Sequence, residues 1–101
     1  MDFTVSDVHD LTEIRLSGRM TFTDHNAFRS VIAAMDRPAG HRVVFDLSDL
    51  EFVDSTGLGV FFIAHDTARR KDLRLAMQGA RDQVHRVFHA ANLHGIIPVS
   101  A

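Results

Sequence analysis

The chain has 101 residues, of which 46% are hydrophobic and 24% are charged, and its formal net charge is −2. This composition fits one globular domain and excludes a disordered or fibrous chain. Cysteine is absent, which excludes disulfides and thiolate metal sites, and acidic and basic residues are interspersed without the basic stripe that binds nucleic acid.

Neither a secretory signal nor a membrane span is predicted. The first ten residues, MDFTVSDVHD, carry an acid at once and lack a basic region followed by a long apolar one. The longest apolar stretch, residues 58–64, falls well short of the roughly 20 residues that cross a bilayer. We therefore expect a cytoplasmic protein that makes no contact with a membrane.

The first third of the chain predicts a hairpin followed by a helix. Apolar and polar residues alternate over 3–8 and 12–17, which is the pattern of strands with one buried face. Only a short connection separates these strands, so they should pair as an antiparallel hairpin. From Asp24 to Met35 apolar residues recur at helical spacing, with Thr23 or Asp24 as the N-cap.

The rest of the chain alternates strands with helices. Its predicted elements are a strand at 41–46, a helix at 58–71, a strand at 73–77, a helix at 80–91 and a short strand at 96–99. The first of these strands contains the apolar run Val43–Phe45, as expected of a central strand covered on both faces. Strands joined through helices run parallel, whereas the hairpin is antiparallel. The predicted fold is therefore α/β, with a mixed sheet of four to five strands flanked by about three to four helices.

The sequence DSTG, residues 54–57, interrupts apolar sequence between the central strand and the next helix. Side chains of Asp, Ser and Thr cap helices, and glycine allows a turn to pack tightly against its neighbour. One cap needs one side chain, yet Asp54, Ser55 and Thr56 follow one another. A hydroxyl at a helix N-terminus is also a favourable position for a phosphate group, because free N–H groups and the helix dipole stabilise negative charge there. The turn is therefore predicted to be a phosphorylation switch as well as a cap.

The stretch VVFDLSDLEFVDSTGLGVFF resembles the signature of the STAS domain, the family of bacterial anti-sigma factor antagonists. A second stretch, QVHRVFHAANLHGIIPV, resembles that family's third helix and last strand, so the similarity covers essentially the whole chain, 1–101. The resemblance implies a single STAS domain with a small mixed sheet flanked by helices. In this family the serine directly after the motif aspartate is phosphorylated, which implies that Ser55 is the phosphoacceptor.

The resemblance also implies partners. The unphosphorylated protein would bind an anti-sigma factor that is also a serine kinase of the histidine-kinase-like ATPase type, and would so free a sigma factor. Phosphorylation would release the protein, and a serine phosphatase would reset it. Because ATP belongs to the kinase, the resemblance implies neither an enzyme nor a cofactor. The alternative is a STAS interaction subunit that never turns over phosphate, bound to a signalling scaffold or to a lipid-transport ATPase.

The partner surface implied by the resemblance surrounds the DSTG turn. Its residues are Asp54, Thr56, Gly57, Leu58, Arg19, Thr21 and Asp24. Gly57 would leave room for a partner's backbone to come close. Sporulation-type antagonists carry a Gly-Glu-Leu-Asp-like turn after the second strand, where this chain has Gly-Arg-Met-Thr at 18–21. The charge reversal at Arg19 and the lost acid at Thr21 leave the identity of the partner open.

The second helix is apolar on nearly all sides, and the residues responsible are Leu58, Val60, Phe61, Phe62 and Ile63. A helix of this kind is usually core. The alternative is that some of these side chains border the partner surface beside DSTG.

The seven histidines suggest a metal site, most of all His85 and His89, four apart on the third helix, with His94 following. On a helical wheel they lie beside the apolar stripe, facing solvent or a rim, and no third ligand follows at motif spacing. No metal site is therefore predicted. A hydrolase is not predicted either, because Ser55 lies outside any G-x-S-x-G elbow and Asp54 is adjacent to it.

Overall fold

Residues 1–100 are described by the computed structural model, and they form four strands, three α-helices and one short 3-10 helix. In chain order these elements are β1 (Asp2–Val8), β2 (Leu11–Met20), α1 (His25–Ala33), β3 (Arg42–Val53), α2 (Ser55–Lys71), β4 (Arg74–Gln78), α3 (Asp82–Ala90) and the 3-10 helix Leu93–Gly95. The predicted α/β alternation of strands and helices is therefore confirmed.

The four strands form one mixed sheet in the order β1-β2-β3-β4. β1 runs antiparallel to β2, whereas β2, β3 and β4 run parallel to one another, as predicted. The predicted strand at 96–99 is reduced to a single bridge between Met77 and Val99. Pro98 has no N–H to give to a ladder, which limits the pairing of this segment. The sheet formed by residues 1–100 thus has the lower of the two predicted strand numbers.

The predicted strand at 41–46 is too short, because β3 continues to Val53. A β-bulge follows Asp46, and β3 continues beyond this bulge through polar residues. Asp46 stabilises the bulge, since its Oδ1 accepts hydrogen bonds from the Ser48 N–H at 3.0 Å and from the Ser48 hydroxyl at 2.6 Å. Burial by itself raises the pKa of Asp46, but these bonds and the Arg15 guanidinium outweigh burial and lower it. β3 therefore ends at the residue directly before the DSTG turn.

All three helices pack on one face of the sheet. Phe45 of β3, Phe61 of α2 and Phe88 of α3 make edge-to-face contacts, with ring centroids 5.7 Å and 4.9 Å apart. Val31 of α1 belongs to the same buried core. Val44 points to the opposite face of the sheet, where it is buried outside this core. The central strand is therefore buried on both faces, as predicted, although helices cover only one of them.

α2 begins three residues earlier than the predicted helix. Asp54 is its N-cap, so Ser55 and Thr56 lie in the first turn of the helix rather than in a loop before it. The other end of α2 is closed by Asp72, which adopts the left-handed conformation with a φ of 57°. No helix in residues 1–100 combines the length and the apolar character that crossing a membrane requires.

Candidate functional site

Asp54 links the start of α2 to the loop between β2 and α1. Its Oδ1 accepts a hydrogen bond from the Gly57 N–H at 2.8 Å, which caps the helix. Its Oδ2 accepts a second bond, from the Phe22 N–H at 3.0 Å. The Asp54 N–H donates to the Met20 carbonyl at 3.0 Å. The two loops at this end of the sheet are therefore held together by one aspartate.

Ser55 and Thr56 are exposed in the first turn of α2. Within residues 1–100 neither side-chain hydroxyl is hydrogen-bonded, because Asp54 already provides the cap. The first N–H groups of the helix have no acceptor inside it, so this end of α2 is electropositive. The predicted cap is confirmed for Asp54, and the hydroxyls of Ser55 and Thr56 do not cap the helix.

Gly57 is buried under the ends of β2 and β3. A Cβ atom on Gly57 would lie 2.7 Å from Val53 Cγ2, 2.9 Å from the Met20 carbonyl oxygen and 3.0 Å from Met20 Cβ. The predicted tight packing of the turn is therefore confirmed. The expectation that Gly57 leaves room for a partner's backbone does not fit this position, because Met20 and Val53 of the same chain occupy that space.

The loop between β2 and α1 lies against the turn. Asp24 occupies the N-cap position of α1, as predicted, but its Oδ2 accepts a hydrogen bond from the Thr21 N–H at 2.8 Å instead of capping the helix. This bond lowers the pKa of the Asp24 carboxyl, and the amino group of Met1, 3.1 Å from Oδ1, acts in the same direction. The side chain of Phe22, in the middle of the loop, is 64% exposed. The loop is thus held in place by Asp24 and Asp54, and it presents a phenylalanine to solvent.

Two residues of this region, Phe22 and Gln83, are not predicted from the sequence. Gln83, in the first turn of α3, accepts a hydrogen bond from the Val53 N–H at 3.0 Å and donates one to the Val53 carbonyl at 2.9 Å. The pairing of β3 with β4 ends at Asp46, so the Gln83 amide takes the place of a strand partner for the residue before Asp54. Phe22 can be noticed in the sequence, because it is a bulky apolar residue that belongs neither to the strand pattern before it nor to the helix pattern after it. Nothing in the sequence pattern distinguishes Gln83.

Arg19 and Leu58 each contact other residues of this chain. The guanidinium carbon of Arg19 is 4.1 Å from the centre of the Phe52 ring, which is its register partner on β3. Leu58 is half-buried and packs against the core. The aromatic contact therefore holds the charge of Arg19 at the end of β2, two residues before Thr21.

Replacing Asp54 by alanine removes both of its side-chain hydrogen bonds and is expected to lower the free energy of unfolding by about 1–2 kcal/mol. Asp54→Asn is the control that separates the two bonds, because its amide oxygen still caps the helix whereas its amide nitrogen cannot accept the Phe22 N–H, and this variant should lose less stability than Asp54→Ala. Urea denaturation followed by circular dichroism measures the difference. Equal midpoints for the wild type and Asp54→Ala would contradict the linking role of this carboxylate.

His85, His89 and His94 form an exposed stack on α3 and the 3-10 helix, in agreement with the helical-wheel prediction. The rings of His89 and His94 are nearly parallel, with centroids 4.8 Å apart. Among residues 1–100, no three His, Cys, Asp or Glu side chains are placed to hold one metal ion.

Comparison of the sequence with known families identifies one that spans most of the chain. A family model described as "Mlab, STAS domain" matches residues 3–98. The chain is also 31% identical over 90 residues to the anti-sigma F factor antagonist of Paenibacillus polymyxa, an alignment that covers 85% of this chain and 74% of that protein.

Comparison of the structure with solved structures finds the same fold in proteins of low sequence identity. The chain is similar to an anti-sigma factor antagonist (STAS) domain protein from Planctomyces limnophilus, with a TM-score of 0.85 and 16% identity over 98% of this chain and 88% of that chain. It is also similar to the anti-sigma factor antagonist SpoIIAA in its unphosphorylated form, with a TM-score of 0.79 and 19% identity over 99% of this chain and 89% of that chain. The chain therefore belongs to the STAS domain family, whose members include the anti-sigma factor antagonists that it resembles in sequence and fold.

Proposed function

We propose that this protein is an anti-sigma factor antagonist controlled by phosphorylation of Ser55. In its unphosphorylated form it binds an anti-sigma factor that is also a serine kinase, and phosphorylation releases it. The observation that carries the proposal is the state of the Ser55 hydroxyl. It is exposed in the first turn of α2 and has no hydrogen-bond partner within residues 1–100, while Asp54 alone caps the helix.

The position of Ser55 suits a reversible phosphate. The first N–H groups of α2 have no acceptor within the helix, and together with the helix dipole they stabilise a phosphate at this end. Phosphorylation adds about −1.5 to −2 charges beside Asp54. The modified protein should therefore stay folded while the surface around the turn becomes strongly negative, so the switch acts on binding rather than on stability.

The surface that we assign to the kinase lies around the first turn of α2. Its residues are Asp54, Thr56, Leu58, Arg19, Thr21, Asp24 and the additional Phe22. Phe22 supplies the apolar anchor, because its side chain is exposed while its N–H is fixed by Asp54. Gly57 contributes by shaping the turn and not by contact, since it is buried.

The names of related proteins support this function. The Paenibacillus polymyxa relative is an anti-sigma F factor antagonist, and SpoIIAA is an antagonist whose solved structure is of an unphosphorylated form. In the cycle that we propose, a histidine-kinase-like ATPase supplies the ATP and the kinase activity, and a separate serine phosphatase restores the binding form. The protein itself then needs neither catalytic activity nor a cofactor, and the cycle runs in the cytoplasm.

Transfer of labelled phosphate from ATP by the purified anti-sigma factor kinase tests the assignment of the site. The wild type and the Thr56→Ala variant should both reach one phosphate per molecule, because each keeps the Ser55 hydroxyl, with a lower rate for Thr56→Ala because Thr56 belongs to the kinase surface, whereas Ser55→Ala should remain unlabelled. Thr56→Ala is the matched control, since it removes a neighbouring exposed hydroxyl from the same helical turn. Equal labelling of the wild type and Ser55→Ala would show that Ser55 is not the phosphoacceptor.

A second candidate function is an interaction subunit that never turns over phosphate, bound to a lipid-transport ATPase or a signalling scaffold. The description of the matching family model names Mlab and a STAS domain but no anti-sigma factor antagonist, which favours a candidate outside the sigma-factor cycle. Pull-downs with the wild type and with Ser55→Asp separate the two functions. The switch predicts a histidine-kinase-like ATPase that only the wild type retains, whereas the second function predicts a transporter component or a scaffold that both proteins retain.

A further inference from the structure

A stripe that faces solvent runs along α2 from Ser55 through Gly59, which is partly exposed, to Phe62 and Ile63. These residues are three or four apart, so they share one face of the helix. At 1.5 Å per residue, Gly59 lies about 6 Å and Ile63 about 12 Å from Ser55 along the helix axis. Phe62 and Ile63 are 38% and 54% exposed. Part of the apolar surface of α2 therefore faces solvent and begins at the candidate phosphorylation site.

Gly59 is a glycine that the chain itself does not require. It lies inside α2, and a Cβ atom in its place would meet nothing within 4 Å. Glycine at such a position destabilises a helix relative to alanine. Gly57, only two residues earlier, is instead enforced by its contacts with Met20 and Val53. A glycine with open space around its Cα, on a partly exposed helical face, allows another chain to approach the helix backbone closely.

A groove between α1 and α2 continues the stripe. Its volume is about 310 Å³, and the residues that line it are His25, Phe28, Arg29, Ile32, Val60 and Ile63. Arg29 is exposed, and it forms no ion pair with any residue in the described part of the chain. Apolar walls with an unpaired cation at the rim fit an apolar side chain that is flanked by a carboxylate.

We propose that the anti-sigma factor kinase covers this stripe, crossing α2 closely at Gly59 and placing an apolar side chain, next to an acidic one, in the groove beside Arg29. This inference rests on the proposed function, because a kinase that transfers phosphate to Ser55 must lie over the first turn of α2. Gly59 is one helical turn further along the same face. The contact surface thus extends from the DSTG turn to the groove between α1 and α2.

Affinity for the purified kinase, measured by isothermal titration calorimetry, tests this surface. Gly59→Ala and Gly59→Leu should weaken binding in the order of side-chain size, by about threefold and by more than about 30-fold, with thermal midpoints no lower than that of the wild type. Ile63→Ala and Arg29→Glu should each weaken binding by about tenfold. Val8→Ala is the matched control, because Val8 is 59% exposed at the opposite end of the sheet, and its affinity should not change.

Three results would contradict the inference, and each identifies a different part of it as wrong. If the kinase labels Ser55 but binds Gly59→Leu as tightly as the wild type, the inference is overturned while the proposed function stands. If Gly59→Leu loses affinity whereas Ile63→Ala and Arg29→Glu do not, the groove is not part of the interface and that half is overturned. If no anti-sigma factor kinase labels Ser55, the proposed function fails and the inference fails with it.

Discussion

The Ser55→Asp variant is expected to bind the anti-sigma factor kinase about 100-fold more weakly than the wild type, which corresponds to about 2.7 kcal/mol. The new carboxylate lies beside Asp54, and a charge that an interface buries without a partner costs several kcal/mol. The fold should not suffer, because a negative charge in the first turn of α2 interacts favourably with the helix dipole. Titration calorimetry measures the affinity, and urea denaturation checks the fold.

Two controls separate charge from other effects of this substitution. Ser55→Asn matches aspartate in size without its charge, so it should lose much less affinity. Thr4→Asp adds the same charge to β1, opposite Arg15, and should bind like the wild type. Similar losses for Ser55→Asn and Ser55→Asp would point to a steric effect, and an affinity of Ser55→Asp within about twofold of the wild type would exclude charge as the switch.

The Gly57→Ala variant is expected to lose about 3 kcal/mol of unfolding free energy, the largest effect on stability that we predict for the site. Its Cβ would lie 2.9 Å from the Met20 carbonyl oxygen and 2.7 Å from Val53 Cγ2. The Met20 carbonyl accepts the Asp54 N–H, so it cannot move away without loss of that bond. Urea denaturation measures the change, and kinase affinity should fall as well, because the clash displaces the first turn of α2.

Gly59→Ala is the control for this prediction, because it makes the same substitution two residues further along the same helix. Nothing lies within 4 Å of the added carbon, so alanine should leave the protein as stable as the wild type or up to about 1 kcal/mol more stable. Equal losses of stability in the two variants would show that contact with Met20 and Val53 is not what requires glycine at position 57.

Periodicity alone located most of the fold. The hairpin, the three helices and the parallel strands follow from it, because burial of one face imposes a period of two on a strand and of 3.6 on a helix. The errors fall at the ends of helices and strands, where side-chain hydrogen bonds or a missing backbone N–H determine how far the element extends. Ser48 and Asp46 carry β3 past the predicted end, Asp54 starts α2 early, and Pro98 reduces the last strand to a bridge.

By itself, the sequence determined that a polar DSTG turn follows a central strand and opens a helix, and its resemblance to a family marked Ser55 as the candidate phosphoacceptor. Only the tertiary structure decided that Asp54 does all the capping and that Gly57 faces the core. It also revealed the hydrogen bonds that hold the turn in place, from the Phe22 N–H to Asp54 and from the Val53 N–H to Gln83. Those bonds join residues 32 and 30 positions apart in the chain, and a local pattern of polar and apolar residues carries no information about such distant partners.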